Sequence, residues 1–381
     1  MSKLFSQGFN SLFSCYSLKV ITLITGVVIV ALLAMPSCKK PVIKPNPPQP
    51  EVGTVWVGAY EAGYIDFALK YNVKLAAIFE TNGTQTPEIT NWINFIKSAQ
   101  QRGAKLRICP IPVSDSAYLD DRHAAAQLAI VWNFVQLMQS QGVKPGELIL
   151  DIEGMNASKY CQALVSFVLG NTAARDTLIA NVLPKAAHDS AIAAYQAFVN
   201  QAHNAGWRVG ATTLNQIACE PVGGDINIER VLGIPITGIS WDFVTYQAYR
   251  TSTYSVFQSI GFPSPTSWFV YRFAQMARGH YGANGGVDIG IMGINSSWGY
   301  SSIADWQNDV SATRAAGINP DLVAGFRMES AITPNFTDST QWFTQLETSP
   351  APTAPIDDLS TDDYILLYDS ADSRLAPFMP Q

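Results

Sequence analysis

Eight short apolar segments alternate with longer amphipathic segments over most of this 381-residue chain. Short apolar runs bounded by turn residues are typical of buried strands, and apolar residues three and four apart are typical of helices. Strands that alternate with helices form parallel sheets, and eight such units close a (β/α)₈ barrel. We therefore predict an α/β fold, a TIM barrel, with strands at 55–60, 74–80, 105–110, 147–153, 208–214, 243–249, 287–295 and 322–328.

An open doubly wound sheet is the alternative fold for this alternation. Such a sheet would carry a glycine-rich phosphate loop after its first strand, and the sequence has none there. The connection after the fourth predicted strand is longer than the others, since 154–189 holds helical patterns at 160–169 and 175–187. We predict that this helical insertion forms a wall beside the face where the strands end.

The N-terminal segment has the features of an export signal. Lys3 and Lys19 accompany an apolar run at 20–34, which small residues and Cys38 follow. This pattern is typical of a secretory signal, and the run is shorter than the about 20 residues that a spanning helix needs. The site at Met35-Pro36-Ser37-Cys38 resembles a bacterial lipobox, which implies lipidation of Cys38. Plain secretion and an uncleaved membrane anchor are the alternatives.

These patterns divide the chain into four predicted parts: a signal peptide at 1–37, a proline-rich linker at 38–52, a barrel domain at 53–346 and an acidic tail at 347–381. The tail holds seven acids and Arg374, so we predict a mobile segment with a short docked strand at 364–368. We expect an exported protein at the outer membrane or cell surface if Cys38 is lipidated, and a secreted or periplasmic protein otherwise.

Charge and cysteine usage disfavour several function classes. The net charge is −6 and no run of Lys or Arg occurs, so we do not expect a nucleic-acid partner. The five cysteines lack CxxC spacing and the four histidines are scattered, so we predict neither a metal nor another cofactor. In an exported chain, Cys161 and Cys219 are candidates for a disulfide because both follow neighbouring strands.

Asp151 and Glu153 end the apolar fourth strand. Alternate residues of a strand share a face, so both carboxyl groups point the same way. Carboxylates on a buried strand are costly unless they are paired or lie at an open end. They form either a strand-end salt bridge or an acid/base pair at the mouth of the barrel.

The predicted strand ends gather acidic, amide and aromatic side chains. In such barrels the carboxyl ends of the strands build the active site. Carboxylates catalyse glycosidic bond cleavage, amides bind sugar hydroxyls and aromatic rings stack on sugars, so a carbohydrate is the predicted substrate. Besides Asp151 and Glu153, the candidates are Tyr60, Glu61, Asn215, Tyr246, Gln247, Tyr249, Asn295, Trp298, Arg327 and Glu329.

Two segments resemble family-18 glycoside hydrolases, the chitinases and endo-β-N-acetylglucosaminidases. Asp151-Ile152-Glu153 is similar to the end of their DxxDxDxE signature, and 241–250 resembles their strand-six segment. The resemblance implies that Glu153 is the general acid and that Asp151 and Tyr249 orient an acetamido group of the substrate. The sequence departs from the signature at Gly146 and Ile149 and from the strand-six segment at Gln247 and Arg250.

The residues alone also permit a mechanism with two carboxyl groups, about 5 Å apart in retaining and about 6.5–9.5 Å apart in inverting enzymes. Glu153 would be the acid, and Glu329 or Glu61 the base or nucleophile. Glu329 has an equal alternative as an ion-pair partner of Arg327.

Two function hypotheses follow from these residues. The first is an exported, lipid-anchored glycoside hydrolase that acts through Glu153. The second is a catalytically inactive barrel that binds carbohydrate at the cell surface, which the departures at Ile149 and Arg250 favour.

Overall fold

The computed structural model describes residues 53–114, 118–154, 157–180, 182–220, 226–291, 299–300, 302–326 and 355–381. Their eight strands form a closed parallel barrel in chain order, because β1 pairs with both β2 and β8. The predicted TIM barrel is confirmed. The strands are β1 Thr54–Val57, β2 Lys74–Thr81, β3 Leu106–Pro112, β4 Glu147–Ile152, β5 Arg208–Leu214, β6 Phe243–Gln247, β7 Gly285–Ile291 and β8 Val323–Phe326.

Helices follow the strands and cover the outside of the barrel. Three of them lie between β4 and β5, where the sequence has its long connection. Among the described residues, no helix is both long and apolar enough to cross a membrane. The helices are α1 Ala62–Tyr71, α2 Pro87–Arg102, α3 Ala124–Ser140, α4 Ala157–Val168, α5 Thr172–Ile179, α6 Lys185–Asn204, α7 Asn227–Leu232, α8 Arg250–Ser259, α9 Ser267–Tyr281, α10 Ile303–Ala315 and α11 Leu359–Leu375.

Helix α2 shows how the sequence sets the ends of an element. The Thr86 side chain accepts a hydrogen bond from Ile89 N, and Pro87 occupies the first turn, where its missing N–H is not needed. Gly103 ends the helix with φ 83°, a left-handed conformation that glycine adopts without strain. Trp92, Ile93 and other apolar residues of α2 pack against the barrel.

A buried ion network closes the amino end of the barrel. Glu147 accepts hydrogen bonds from Lys74 at 2.9 Å and from Arg107 at 2.9 Å, and Lys74 also lies 3.1 Å from Asp321. Burial opposes ionisation, but the two cations hold the pKa of Glu147 below its ordinary value. The salt bridges of β4 therefore involve Glu147 at the start of the strand and not Asp151 near its end.

The C-terminal segment forms helix α11 and not the predicted short strand, so that prediction was wrong. Tyr364 and Tyr368 of α11 are fully buried. Two of its four acids have partners: Asp362 pairs with Arg272 at 2.8 Å, and Asp372 accepts a hydrogen bond from Asn227 N at 3.1 Å. These contacts offset the repulsion between acids that composition alone emphasises.

The candidate disulfide is absent, because Cys161 and Cys219 are free thiols. Cys161 lies on α4, and Cys219 lies in the turn after β5, where its thiol donates to Asn215 O. Helix α11 packs against both of these segments. The apolar surroundings of the half-buried Cys161 and the burial of Cys219 raise the pKa of each thiol, so both stay neutral.

Candidate functional site

A cavity of about 500 Å³ lies at the carboxyl ends of the strands. Residues from seven strands and from the adjoining loops and helices line it. Its acids are Asp151, Glu153 and Asp288, its amides are Gln162, Asn215, Gln216 and Gln247, and its aromatic residues are Trp56, Tyr118, Tyr249, Phe326 and Tyr364. The composition matches the acidic, amide-rich and aromatic rim that the sequence predicts.

Gln247 joins the two carboxyl groups of β4. Asp151 lies on the barrel-facing side of β4, and Glu153 follows the strand end on the same side. Gln247, from the end of β6, donates through Nε2 to Glu153 Oε1 at 2.6 Å and to Asp151 Oδ1 at 3.4 Å. The amide that departs from the family-18 pattern therefore contacts both predicted catalytic residues.

The turn after Glu153 is fixed by a close approach of two backbone segments. Gly154 has φ 71°, and a Cβ atom at this position would lie 2.0 Å from Leu232 O. Only glycine fits there. Gly154 N also donates to Leu119 O at 3.2 Å, and Leu119 N donates to Asp151 O at 3.4 Å. The loop after β3 thus holds the end of β4 that presents Glu153.

The protein environment shifts the pKa of both Asp151 and Glu153 upward. Burial raises the pKa of Asp151 well above its ordinary range, and the carboxylates of Glu153 and Asp288 raise it further. Burial also raises the pKa of Glu153, while the hydrogen bond from Gln247 opposes part of the rise. A carboxyl group that stays protonated near neutral pH can act as a general acid.

Asp288 is a third acid in the cavity that the sequence analysis missed. It is 1% exposed, and its Oδ2 accepts hydrogen bonds from Thr212 at 2.6 Å and Thr245 at 3.3 Å. Burial raises the pKa of Asp288 to about 6, although these hydroxyls and the charge of Arg107 oppose the rise. The missed signal was a single acid within a glycine-rich apolar strand.

Tyr249 lies beside these acids, as predicted. It lines the cavity, and its ring lies 6.4 Å from that of Phe326. Burial and then the charges of Asp288, Asp151 and Glu153 raise the pKa of Tyr249, so its hydroxyl keeps its proton. The next residue, Arg250, pairs with Asp309 at 2.6 Å outside the cavity.

Three predicted substrate-binding residues do not line the cavity. Tyr60 is 43% exposed and packs edge-on against Trp92, because β1 ends at Val57. Glu61 is exposed and precedes α1. Tyr246 is fully buried on the helix-facing side of β6, where its hydroxyl lies 2.9 Å from His280 Nδ1.

Asn215 does line the cavity, as predicted, and is 4% exposed. Gln216, which follows it, also lines the cavity and donates to the hydroxyl of Tyr364 at 3.0 Å. The remaining candidates lie outside the described residues and stay predictions: Cys38, Asn295, Trp298, Arg327 and Glu329.

The described lining of the cavity is acidic, with three carboxyl groups and no Lys, Arg or His. Arg107 is the cation that acts on Asp288, and it packs over the ring of Phe243. No group of three or more His, Cys, Asp or Glu side chains in the described part of the chain is arranged to hold a metal ion.

The fold has relatives among solved structures, whereas no protein-family model and no curated protein sequence matches the chain. A GH5-4 broad-specificity endoglucanase from an uncultured bacterium is 11% identical over 77% of this chain and 86% of its own, with a TM-score of 0.46. A GH18 chitinase from Pseudoalteromonas aurantia is 12% identical over 78% and 100%, with a TM-score of 0.43. An L-ribulose 3-epimerase is 13% identical over 86% and 97%, with a TM-score of 0.37. Likenesses this distant carry no argument about activity.

Proposed function

We propose that the chain is a glycoside hydrolase in which Glu153 is the general acid. The observation that carries this proposal is the Glu153 carboxyl group itself. It faces a cavity of amides and aromatic rings, and burial raises its pKa. Protonation of the leaving oxygen by such a group is the first requirement for glycosidic bond cleavage.

The other cavity residues have separate roles in this proposal. Gln247 fixes the Glu153 carboxyl group, and Asp151 and Tyr249 orient the sugar. Asn215 and Gln216 offer amide groups to hydroxyls, and Trp56 offers an apolar surface. Glu61 lies outside the cavity, so the second-carboxyl role stays with Glu329 or is replaced by a substrate acetamido group that Asp151 orients.

The N-terminal pattern supports an exported protein, and we include this in the proposal. Lys3, Lys19, the apolar run at 20–34 and Cys38 have the order of a lipoprotein signal. Lipidation of Cys38 would tether the barrel to a membrane through the linker at 38–52. Mass spectrometry of the protein recovered from membranes would detect the lipidated Cys38, and its appearance only as soluble chain would contradict the anchor.

Glu153→Gln tests the catalytic proposal. The substitution keeps the shape and removes the acidic proton, so we expect turnover to fall at least about 100-fold. The measurement is product release by the full-length chain from chito-oligosaccharides, peptidoglycan fragments and glucans. Glu61→Gln makes the same change outside the cavity and should leave turnover unchanged. Equal turnover by the wild type and Glu153→Gln would sink the proposal.

A catalytically inactive carbohydrate-binding protein is the second candidate. Ile149 is buried where the family-18 signature has an acid, and Arg250 is engaged by Asp309. These two replacements favour loss of catalysis with retention of the cavity. This candidate predicts saccharide binding without product by calorimetry on the same panel, and one confirmed turnover would remove it.

A further inference from the structure

Asp288 and Asp151 enter the same cavity from strands on different parts of the barrel wall. Asp151 lies on β4 and Asp288 on β7, and both line the cavity. Thr212 is the register partner of Asp151 on β5, and the same threonine donates to Asp288 Oδ2 at 2.6 Å. One side chain therefore connects the position beside Asp151 to the carboxyl group of Asp288.

Asp288 and Asp151 differ in the hydrogen-bond donors and the positive charge that the protein provides to each. Asp288 receives hydrogen bonds from the hydroxyls of Thr212 and Thr245, and the charge of Arg107 favours its ionised form. Asp151 receives the amide of Gln247 at 3.4 Å, and that amide lies closer to Glu153. Burial raises the pKa of Asp151 most, and the charges of Glu153 and then Asp288 add to the rise. Where carboxyl groups in one cavity compete for a proton, it stays on the one with the weaker donors.

Building on the proposed function, we propose that Asp288 is a positioning residue that keeps a proton on Asp151. The ionised carboxyl group of Asp288, held by Thr212 and Thr245, makes Asp151 a hydrogen-bond donor to an acceptor oxygen of the bound sugar. Glu153 then transfers the proton in the reaction, while Asp151 orients the sugar as a neutral group.

The other titratable groups around the acids do not supply this effect. Cys109, Tyr118 and Tyr249 face Asp151 and Glu153 from β3 and from two loops, and each has a raised pKa. Burial dominates for Cys109 and Tyr249, and the charge of Glu153 dominates for Tyr118. All three stay neutral through the acidic and neutral range. Proton placement there is decided among Asp151, Glu153 and Asp288.

Carboxyl titration by ¹³C NMR tests the proposal without any substrate. The full-length chain is labelled at the aspartate carboxyl carbons, and Asp151→Asn assigns the Asp151 signal. In the wild type we expect Asp151 to remain protonated at neutral pH. In Asp288→Asn, which keeps acceptors for both threonines, the Asp151 midpoint should move down by about one pH unit or more, because a neighbouring negative charge is gone.

Two further variants make the result specific. Asp189→Asn changes an exposed acid of α6 that pairs with Lys185, and it should leave the Asp151 midpoint in place. Thr212→Val removes the donor that favours ionised Asp288, so it should lower the Asp151 midpoint as well, even if Asp288→Asn does not fold. An Asp151 midpoint that is the same in the wild type and the folded variants overturns the proposal, as does an Asp151 that is already ionised at pH 5 in the wild type.

The same experiment separates this inference from the proposed function. A shifted Asp151 midpoint in a protein that releases no product keeps the proton placement and contradicts the hydrolase. Product release that Glu153→Gln abolishes, with an unshifted midpoint, keeps the hydrolase and contradicts the role of Asp288. In an active enzyme, Asp288→Asn should also move the pH–rate profile, whereas a merely structural role would lower the rate at every pH alike.

Discussion

At the scale of single residues, Gln247 holds the Glu153 carboxyl group in place and lowers its pKa. Its amide donates to Glu153 Oε1 at 2.6 Å and favours the ionised form of that carboxyl group. Gln247→Leu removes the donor, so the pKa of Glu153 should rise further. A general acid loses activity as the pH rises through its pKa, so the alkaline limb of the pH–rate profile should move to higher pH, and turnover should fall about tenfold or more because Glu153 is less well held.

The control for Gln247→Leu is Gln258→Leu, which makes the same change on the exposed surface of α8. Its pH–rate profile should match that of the wild type. An unmoved alkaline limb in Gln247→Leu would show that a group other than Glu153 sets it.

The two-residue period of strands explains why Tyr246 does not reach the cavity. Thr245 and Gln247 face the barrel interior, so Tyr246 between them faces the helices. Asp151, Glu153 and Gln247 were predictable because they are polar residues at the end of apolar strands. Asp288 lies in the middle of β7, which spans Gly285–Ile291. The predicted strand spanned 287–295, which put Asp288 near its start, far from the strand end where site residues were sought.

At the scale of elements, α11 is a wall of the cavity. Tyr364 is fully buried, stacks on Phe257 with ring centroids 4.9 Å apart, and receives a hydrogen bond from Gln216. Tyr364→Ala should lower the free energy of unfolding by about 3–5 kcal/mol, as for other buried aromatic truncations. Tyr364→Phe keeps the packing and loses the hydrogen bond from Gln216, so we expect the free energy of unfolding to fall by about 1 kcal/mol.

Urea unfolding measures both Tyr364 variants. Leu366→Ala, on the same helix with a side chain 60% exposed, serves as the control and should change the free energy by less than about 0.5 kcal/mol. Similar values for Leu366→Ala and Tyr364→Ala would mean that α11 does not pack against the barrel in solution.

Helix α11 could be predicted from the sequence, whereas its packing against the barrel could not. Tyr364, Leu367, Tyr368, Ala371 and Leu375 recur at helical spacing and form its buried face. The acidic composition outweighed this pattern in the sequence analysis. The partners of its acids, Arg272 and Asn227, come from distant parts of the chain, and no local pattern indicates them. The barrel itself was predictable because eight strand and helix patterns repeat in order.

At the scale of the whole molecule, the two ends of the barrel respond to pH in opposite directions. Asp288, in the cavity, has an ordinary pKa of 3.8 that folding raises to about 6, so its stabilising effect is present below pH 3.8 and is lost as the pH rises to about 6. Glu147, in the ion network at the other end, has a pKa below its ordinary 4.5. Its effect is present above pH 4.5 and is lost as the pH falls through the lowered value.

Substitution of each acid by its amide should therefore change stability with opposite pH dependence. The free energy of unfolding of Asp288→Asn, relative to that of the wild type, should rise by on the order of 3 kcal/mol from pH 4 to pH 7, since one pKa unit is about 1.4 kcal/mol. The free energy of unfolding of Glu147→Gln, relative to that of the wild type, should fall over the same range. Lys74 and Arg107 lose a charged partner that exists only above the lowered pKa of Glu147. Urea unfolding at both pH values measures each difference. If both differences keep the same value at pH 4 and pH 7, then neither carboxyl group changes its pKa on folding, and the electrostatic contrast between the two ends of the barrel does not exist in solution.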